Sequence, residues 1–128
     1  MEKLKIIIID DNVQKRQTYS DKFRSEGFEV LEAEDGKIGL EMIKSKIPHL
    51  IFTGIDMPQM GGFELIQELK KFSPTAKIPV IVSSHLNREE DKKKADALGV
   101  DDFIYYGFIT LKEVMEKVHA VLKKHRYL

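Results

Sequence analysis

Two adjacent carboxylates, Asp10 and Asp11, follow the unbroken apolar run Ile6-Ile7-Ile8-Ile9. Such a pair at the end of a buried strand is costly unless a cation stands near. It therefore holds a cation, or it forms a solvated loop in which Asp11 or Asn12 caps the next helix. A third carboxylate, Asp56, lies in a loop with Met57, Pro58, Met60, Gly61 and Gly62. Three carboxylates suit Mg²⁺, which takes one or two of them together with water. Ser83 and Ser84 end another apolar run, without the glycine-flanked turn of a hydrolase nucleophile. His49, His85, His119 and His125 include no pair at the spacing of a zinc-binding helix. The glycines at 61 and 62 do not make a phosphate loop. His85, next to Ser84, is placed to line a rim, but a plain surface histidine is the simpler reading.

Composition narrows the classes further. The 128 residues are 42% hydrophobic, enough for one domain with a real core. Lys+Arg and Asp+Glu both number 21, so there is no basic footprint for non-specific nucleic-acid binding and no charge-driven affinity for a membrane. The absence of Cys removes disulfides, zinc knuckles and thiol catalysis. The N-terminal apolar run is too short for a signal peptide or a membrane span. The expectation is a soluble, cytoplasmic protein.

The elements that must position these residues can be read from periodicity. Dense apolar runs at 4–9, 28–33, 50–55, 78–83 and 103–106 read as strands. Between them lie amphipathic stretches at 13–26, 38–46, 63–72, 88–98 and 111–122. The first places Val13, Gln17, Tyr19 and Phe23 loosely at helical spacing. Asp35-Gly36 reads as a turn, and Asn87 as the cap of the fourth helix. That fourth helix carries the opposite-charge pairs Glu89–Lys93 and Glu90–Lys94. Lys123-Lys124-His125-Arg126 reads as a solubilising basic end. Strict alternation of strand and helix gives a parallel sheet covered on both faces, with its site at the carboxyl ends of the strands.

Several strings together resemble the response-regulator receiver domain. They are Ile6 to Asn12, Pro48 to Phe63 around Thr53-Gly54-Ile55-Asp56-Met57-Pro58, Ile78 to Ser84, and Ala97-Leu98-Gly99 to Phe103. Order and spacing agree along essentially the whole chain. The resemblance implies an α/β fold: a doubly wound five-stranded parallel sheet of order 2-1-3-4-5, flavodoxin-like. It implies one domain over residues 1–128, with no output domain. It also assigns roles. Asp10 and Asp11 match the acidic pair that holds Mg²⁺, Ser84 the switch hydroxyl, and Phe103 the switch aromatic.

Two working parts of that pattern are missing. Gly54 stands at the phosphoacceptor position and cannot form an acyl phosphate. Tyr106 replaces the switch lysine, and Gly107 the proline that usually follows. Gly61 replaces an aspartate common in the loop after the third strand. Tyr106 could fill the vacated volume by packing over Gly54. Asp56, two residues on, would face the same side of the strand and so look into the same pocket. It reads as a displaced acceptor, a metal ligand with Asp10 and Asp11, or a loop carboxylate. The expected function is a stand-alone, phosphorylation-independent binding module in signal transduction, not an enzyme. It needs no cofactor, and Mg²⁺ would bind weakly through Asp10, Asp11 and Asp56. The alternatives are a phosphorelay receiver using Asp56 and a divalent-metal module. The resemblance places a signalling-protein partner, or a second copy in a homodimer, on the fourth helix, fifth strand and fifth helix. Neither nucleic acid nor membrane is expected.

Overall fold

The computed structural model describes residues 2–128. Strands β1 (Lys5–Ile9), β2 (Glu29–Ala33), β3 (Leu50–Thr53), β4 (Val80–Ser84) and β5 (Asp102–Tyr105) alternate with five helices. The helices are α1 (Val13–Ser25), α2 (Gly36–Lys46), α3 (Gly62–Lys70), α4 (Glu89–Ala97) and α5 (Leu111–Lys124). The strands form one parallel sheet, as the alternation predicts, in the order β2-β1-β3-β4-β5 that the receiver resemblance implies.

Side-chain alternation along the strands builds two cores. Ile6, Ile8, Phe52, Ile81 and Ile104 face α1 and α5, where they meet Tyr19, Phe23, Val118 and Leu122. Ile7, Ile9, Ile51, Val82 and Phe103 face α2, α3 and α4, meeting Ile43, Leu65, Leu69 and Ala95. Burial on both faces explains why the strands read as continuous apolar runs. Among the described residues, no helix is long and apolar enough to cross a membrane.

Several local expectations need correction. In α1 the buried residues are Lys15, Tyr19, Ser20 and Phe23, whereas Val13 is 65% exposed and Gln17 is exposed too. The stripe thus begins on a lysine, at 15-19-23. Asp35 is the N-cap of α2, its carboxylate accepting the Ile38 N–H at 2.9 Å, so the expected turn is the first turn of the helix. Asn87 does not cap α4; Arg88 is the N-cap and makes no side-chain capping bond. The ion pairs formed along that segment are Arg88–Asp91 and Lys92–Asp96, not Glu89–Lys93 or Glu90–Lys94. The basic end is also tied down, with His125 Nε2 lying 2.6 Å from Asp101 Oδ2 before β5.

Candidate functional site

The register fixes what meets at the carboxyl end of the sheet. Ile9 pairs with Thr53, and Ser84 pairs with Tyr105. The next residues, Asp10, Gly54 and His85, therefore converge, and with Asp11, Lys15, Ile55, Asp56 and Ser84 they line one pocket.

Asp10 is 6% exposed, and its position follows from the strand: its N–H continues the β1–β2 ladder to the Ala33 carbonyl at 3.1 Å. Its Oδ1 accepts the Asn12 N–H at 2.9 Å. Asn12 in turn caps α1, accepting the Lys15 N–H at 2.9 Å. That cap sets the start of α1 and so turns Lys15 onto the face that carries Tyr19 and Phe23. The Lys15 side chain is drawn beneath its own helix, leaving the residue 2% exposed. Its ammonium lies 2.9 Å from Asp10 Oδ2, donates to the Ser83 carbonyl at 2.7 Å, and stands 5.4 Å from the centre of the Tyr106 ring. A carboxylate, a carbonyl and an aromatic face together replace its water. This is the cation that the Asp10-Asp11 pair required, and sequence reasoning missed it. The available signal was a lysine at i, with Tyr19 at i+4 and Phe23 at i+8, on the stripe of α1 that should be apolar.

Gly54 donates its N–H to the Ile9 carbonyl at 2.8 Å. A Cβ at residue 54 would stand 2.8 Å from Asp10 Oδ2, closer than real Cβ contacts come. Asp10, held by Lys15, thus occupies the space that a side chain at residue 54 would enter. The expected packing of Tyr106 over Gly54 does not occur. Tyr106 follows β5, donates its N–H to the Ser84 carbonyl at 2.8 Å, and turns toward α1, edge-on to Tyr19 with ring centres 5.8 Å apart. The Tyr19 hydroxyl lies 3.2 Å from Ser83 Oγ. Burial pushes the Tyr19 phenol up to about 12, opposed by the Ser83 hydrogen bond and reinforced by the nearby Tyr106 and Asp10. Gly107 follows at φ 91°, a left-handed conformation closed to proline.

The remaining predicted residues lie as follows. Ser84 lines the pocket, but its hydroxyl donates to the Leu86 carbonyl at 2.9 Å and accepts the Leu86 N–H at 3.0 Å, both within its own loop. Phe103 is buried in the core under α2, α3 and α4, 5.1 Å from the Tyr105 ring. Asp11 and His85 are exposed at the rim. Asp56 also stands on the rim, because β3 ends at Thr53 and strand alternation does not carry as far as residue 56. Its side chain is 56% exposed and paired with Arg88 at 2.9 Å, while Arg88 also binds Asp91 at 2.6 Å. Arg88 is a second cation that sequence reasoning left out. A larger concavity, about 340 Å³, lies at the opposite end of β4, between α3 and the start of β5, away from these carboxylates.

The Mg²⁺ implied by the receiver resemblance does not fit these residues as they stand. Among the described residues, no group of three or more His, Cys, Asp or Glu gathers closely enough to hold a metal. Asp10 is engaged through both oxygens and Asp56 is tied to Arg88. The free volume of the pocket is about 10 Å³, near the minimum for a single water.

The fold is that of a receiver. The chain belongs to the response regulator receiver domain family, whose pattern matches residues 6–119. It is 32% identical over 124 residues to a probable transcriptional regulator, ycf27, of Porphyridium aerugineum, covering 97% of this chain and 50% of that protein. It is 30% identical over 120 residues to the DNA-binding dual master transcriptional regulator RpaA of Synechocystis, covering 94% of this chain and 49% of the relative. The chain thus spans about half the length of these curated relatives. Among solved structures, the chemotaxis protein CheY4 of Vibrio cholerae superposes with a TM-score of 0.87 at 24% identity, covering 94% of this chain and all of that one. The N-terminal domain of an uncharacterized protein of Wolinella succinogenes gives 0.85 at 31% identity, covering 95% and 96%.

Proposed function

We propose that this receiver domain works in signalling without phosphorylation, as a pseudo-receiver that binds a protein partner. One observation carries the reading: the phosphoacceptor position is Gly54, and the space its side chain would enter is held by Asp10 Oδ2, 2.8 Å from where a Cβ would stand. Glycine offers no nucleophile, and phosphoryl transfer depends on an acceptor in line with a cation that neutralises the transferred group. At the switch-lysine position Tyr106 brings a ring turned to Tyr19, and the Ser84 hydroxyl is spent on its own loop. The domain carries no catalysis of its own and no required cofactor.

Asp56 is the rival acceptor. Its position on the rim, bonded to Arg88, speaks against attack on a phosphoryl group near Asp10, since misplacement by about 1 Å can cost about a hundredfold in rate. The test is incubation with acetyl phosphate and Mg²⁺, followed by intact mass. No added phosphate is expected; labelling that Asp56→Asn abolishes would overturn the reading. Binding is assigned to α4, β5 and α5, where Tyr105 and Tyr106 are half-buried, Phe108 is 81% exposed and Leu111 is 38% exposed. Aromatic side chains of this kind anchor protein interfaces. Sedimentation at increasing concentration separates a heterologous partner from a second copy.

A further inference from the structure

Outside the residues that the receiver resemblance assigns, the most completely built feature is the buried Lys15 ammonium. It has no counterpart among the roles of acidic pair, acceptor, hydroxyl, aromatic and β5 lysine. Three elements supply its partners: Asp10 after β1, the Ser83 carbonyl on β4, and the Tyr106 ring after β5. Tyr19, one turn along α1, reaches the same strand through its hydroxyl and Ser83 Oγ. Among the described residues, no buried side-chain nitrogen or oxygen lacks a hydrogen-bond partner. The ammonium is thus a satisfied, structural charge and not a stranded one.

We propose that Lys15 is a tethered internal cation. It takes the place of both the divalent metal beside Asp10 and the missing β5 lysine, and it holds α1 to the end of β4 in one conformation. The proposal rests on the pseudo-receiver reading and deepens it by naming what has replaced the switch. A divalent ion and an ammonium 2.9 Å from the same carboxylate oxygen compete for one space and one charge. An ammonium delivered by the chain needs no binding from solution, so the site is neutralised at every metal concentration. Because the same ammonium bonds the Ser83 carbonyl, the end of β4 is fixed along with it. Tyr106 is then held by its own N–H to Ser84 and by its ring over Lys15. The face presented to a partner would be constant, and partner concentration alone would govern binding.

The experiment is an Mg²⁺ titration followed by amide chemical shifts, on the wild type, Lys15→Met, and Asp10→Asn/Lys15→Met. The wild type is expected to show no shifts at Asp10, Asp11 or Gly54 at millimolar Mg²⁺. Lys15→Met should bind Mg²⁺ about tenfold or more tightly than the wild type. The double variant should lose that binding again. Equal affinity in wild type and Lys15→Met overturns the inference. If Lys15→Met does not fold, the wild-type ammonium protons decide. A signal shielded from water exchange with a cross-peak to the Tyr106 ring upholds the proposal, and exchange as fast as that of exposed lysines overturns it. A wild type that binds Mg²⁺ yet takes no phosphate from acetyl phosphate sinks this inference alone and leaves the pseudo-receiver reading standing. Phosphate labelling of the wild type overturns the pseudo-receiver reading and, with it, this inference.

Discussion

Asp10 and Asp56 line the same pocket, and each meets one cation at 2.9 Å, under opposite conditions. In the Asp10–Lys15 pair the side chains are 8% and 3% exposed; in Asp56–Arg88 they are 56% and 38% exposed. In the first pair both charges have left water, so their attraction is strong and neither can be removed alone without stranding the other. In the second, water and salt screen the charges, and each group can be resolvated at little cost. Equal distance therefore does not mean equal consequence. The inner pair is part of the core, while the outer pair is a surface latch between the loop after β3 and the start of α4.

The comparison breaks most visibly at Lys15. Lys15→Met should destabilise the domain by about 3–5 kcal/mol in urea unfolding, with Asp10→Asn added to it recovering most of the loss. A cost no larger than that of a surface substitution would mean that the inner pair is not buried in solution. Gly54→Ala comes next. Its Cβ would crowd Asp10 Oδ2, 2.8 Å away, and overpacking of this kind costs about 1–3 kcal/mol. The cost should shrink in the Asp10→Asn/Lys15→Met background, where the carboxamide is free to move, and a double-mutant cycle measures the coupling.

Tyr19 sharpens the inner side further. Its phenol is raised from 10.0 to about 12, chiefly by burial, so the folded state keeps a proton that the unfolded state releases above pH 10. The associated stability is complete below pH 10 and is lost as pH rises through about 12, at up to about 1.4 kcal/mol per pH unit. Urea unfolding across that range should lose this slope in Tyr19→Phe. The smallest effect belongs to the outer pair. Asp56→Asn should leave the melting temperature unchanged within error, and a clear drop would place Asp56 among the structural charges after all.

Much of this architecture was legible because it rests on patterns the chain repeats. Apolar runs buried on both faces and punctuated by amphipathic stretches specify a covered parallel sheet, and the 2-1-3-4-5 order follows from the receiver motifs. The convergence of Asp10, Gly54 and Ser84 followed from strand ends alone. The cations did not follow. Lys15 reads as a solvated residue until the start of α1 is set by the Asn12 cap, and a shift of one residue there would swing it into water. Asp56 stayed open among acceptor, metal ligand and loop carboxylate, because alternation does not describe the loop that follows Thr53, the end of β3. The partner of Arg88 lies 32 positions away, across a loop that periodicity does not describe.

The crowding between residue 54 and Asp10 also bears on how this lineage can change. Restoring an acceptor requires Gly54→Asp, but that carboxylate would enter beside Asp10 while Lys15 still pins it. Withdrawing Lys15 first leaves Asp10 buried and unpaired, and replacing Tyr106 with lysine first sets a second cation beside the Lys15 ammonium. Each of these single steps toward a phosphorylatable pocket thus passes through a less stable protein. On the pseudo-receiver reading, the Asp10–Lys15 pair bars a one-step route to an acceptor at residue 54.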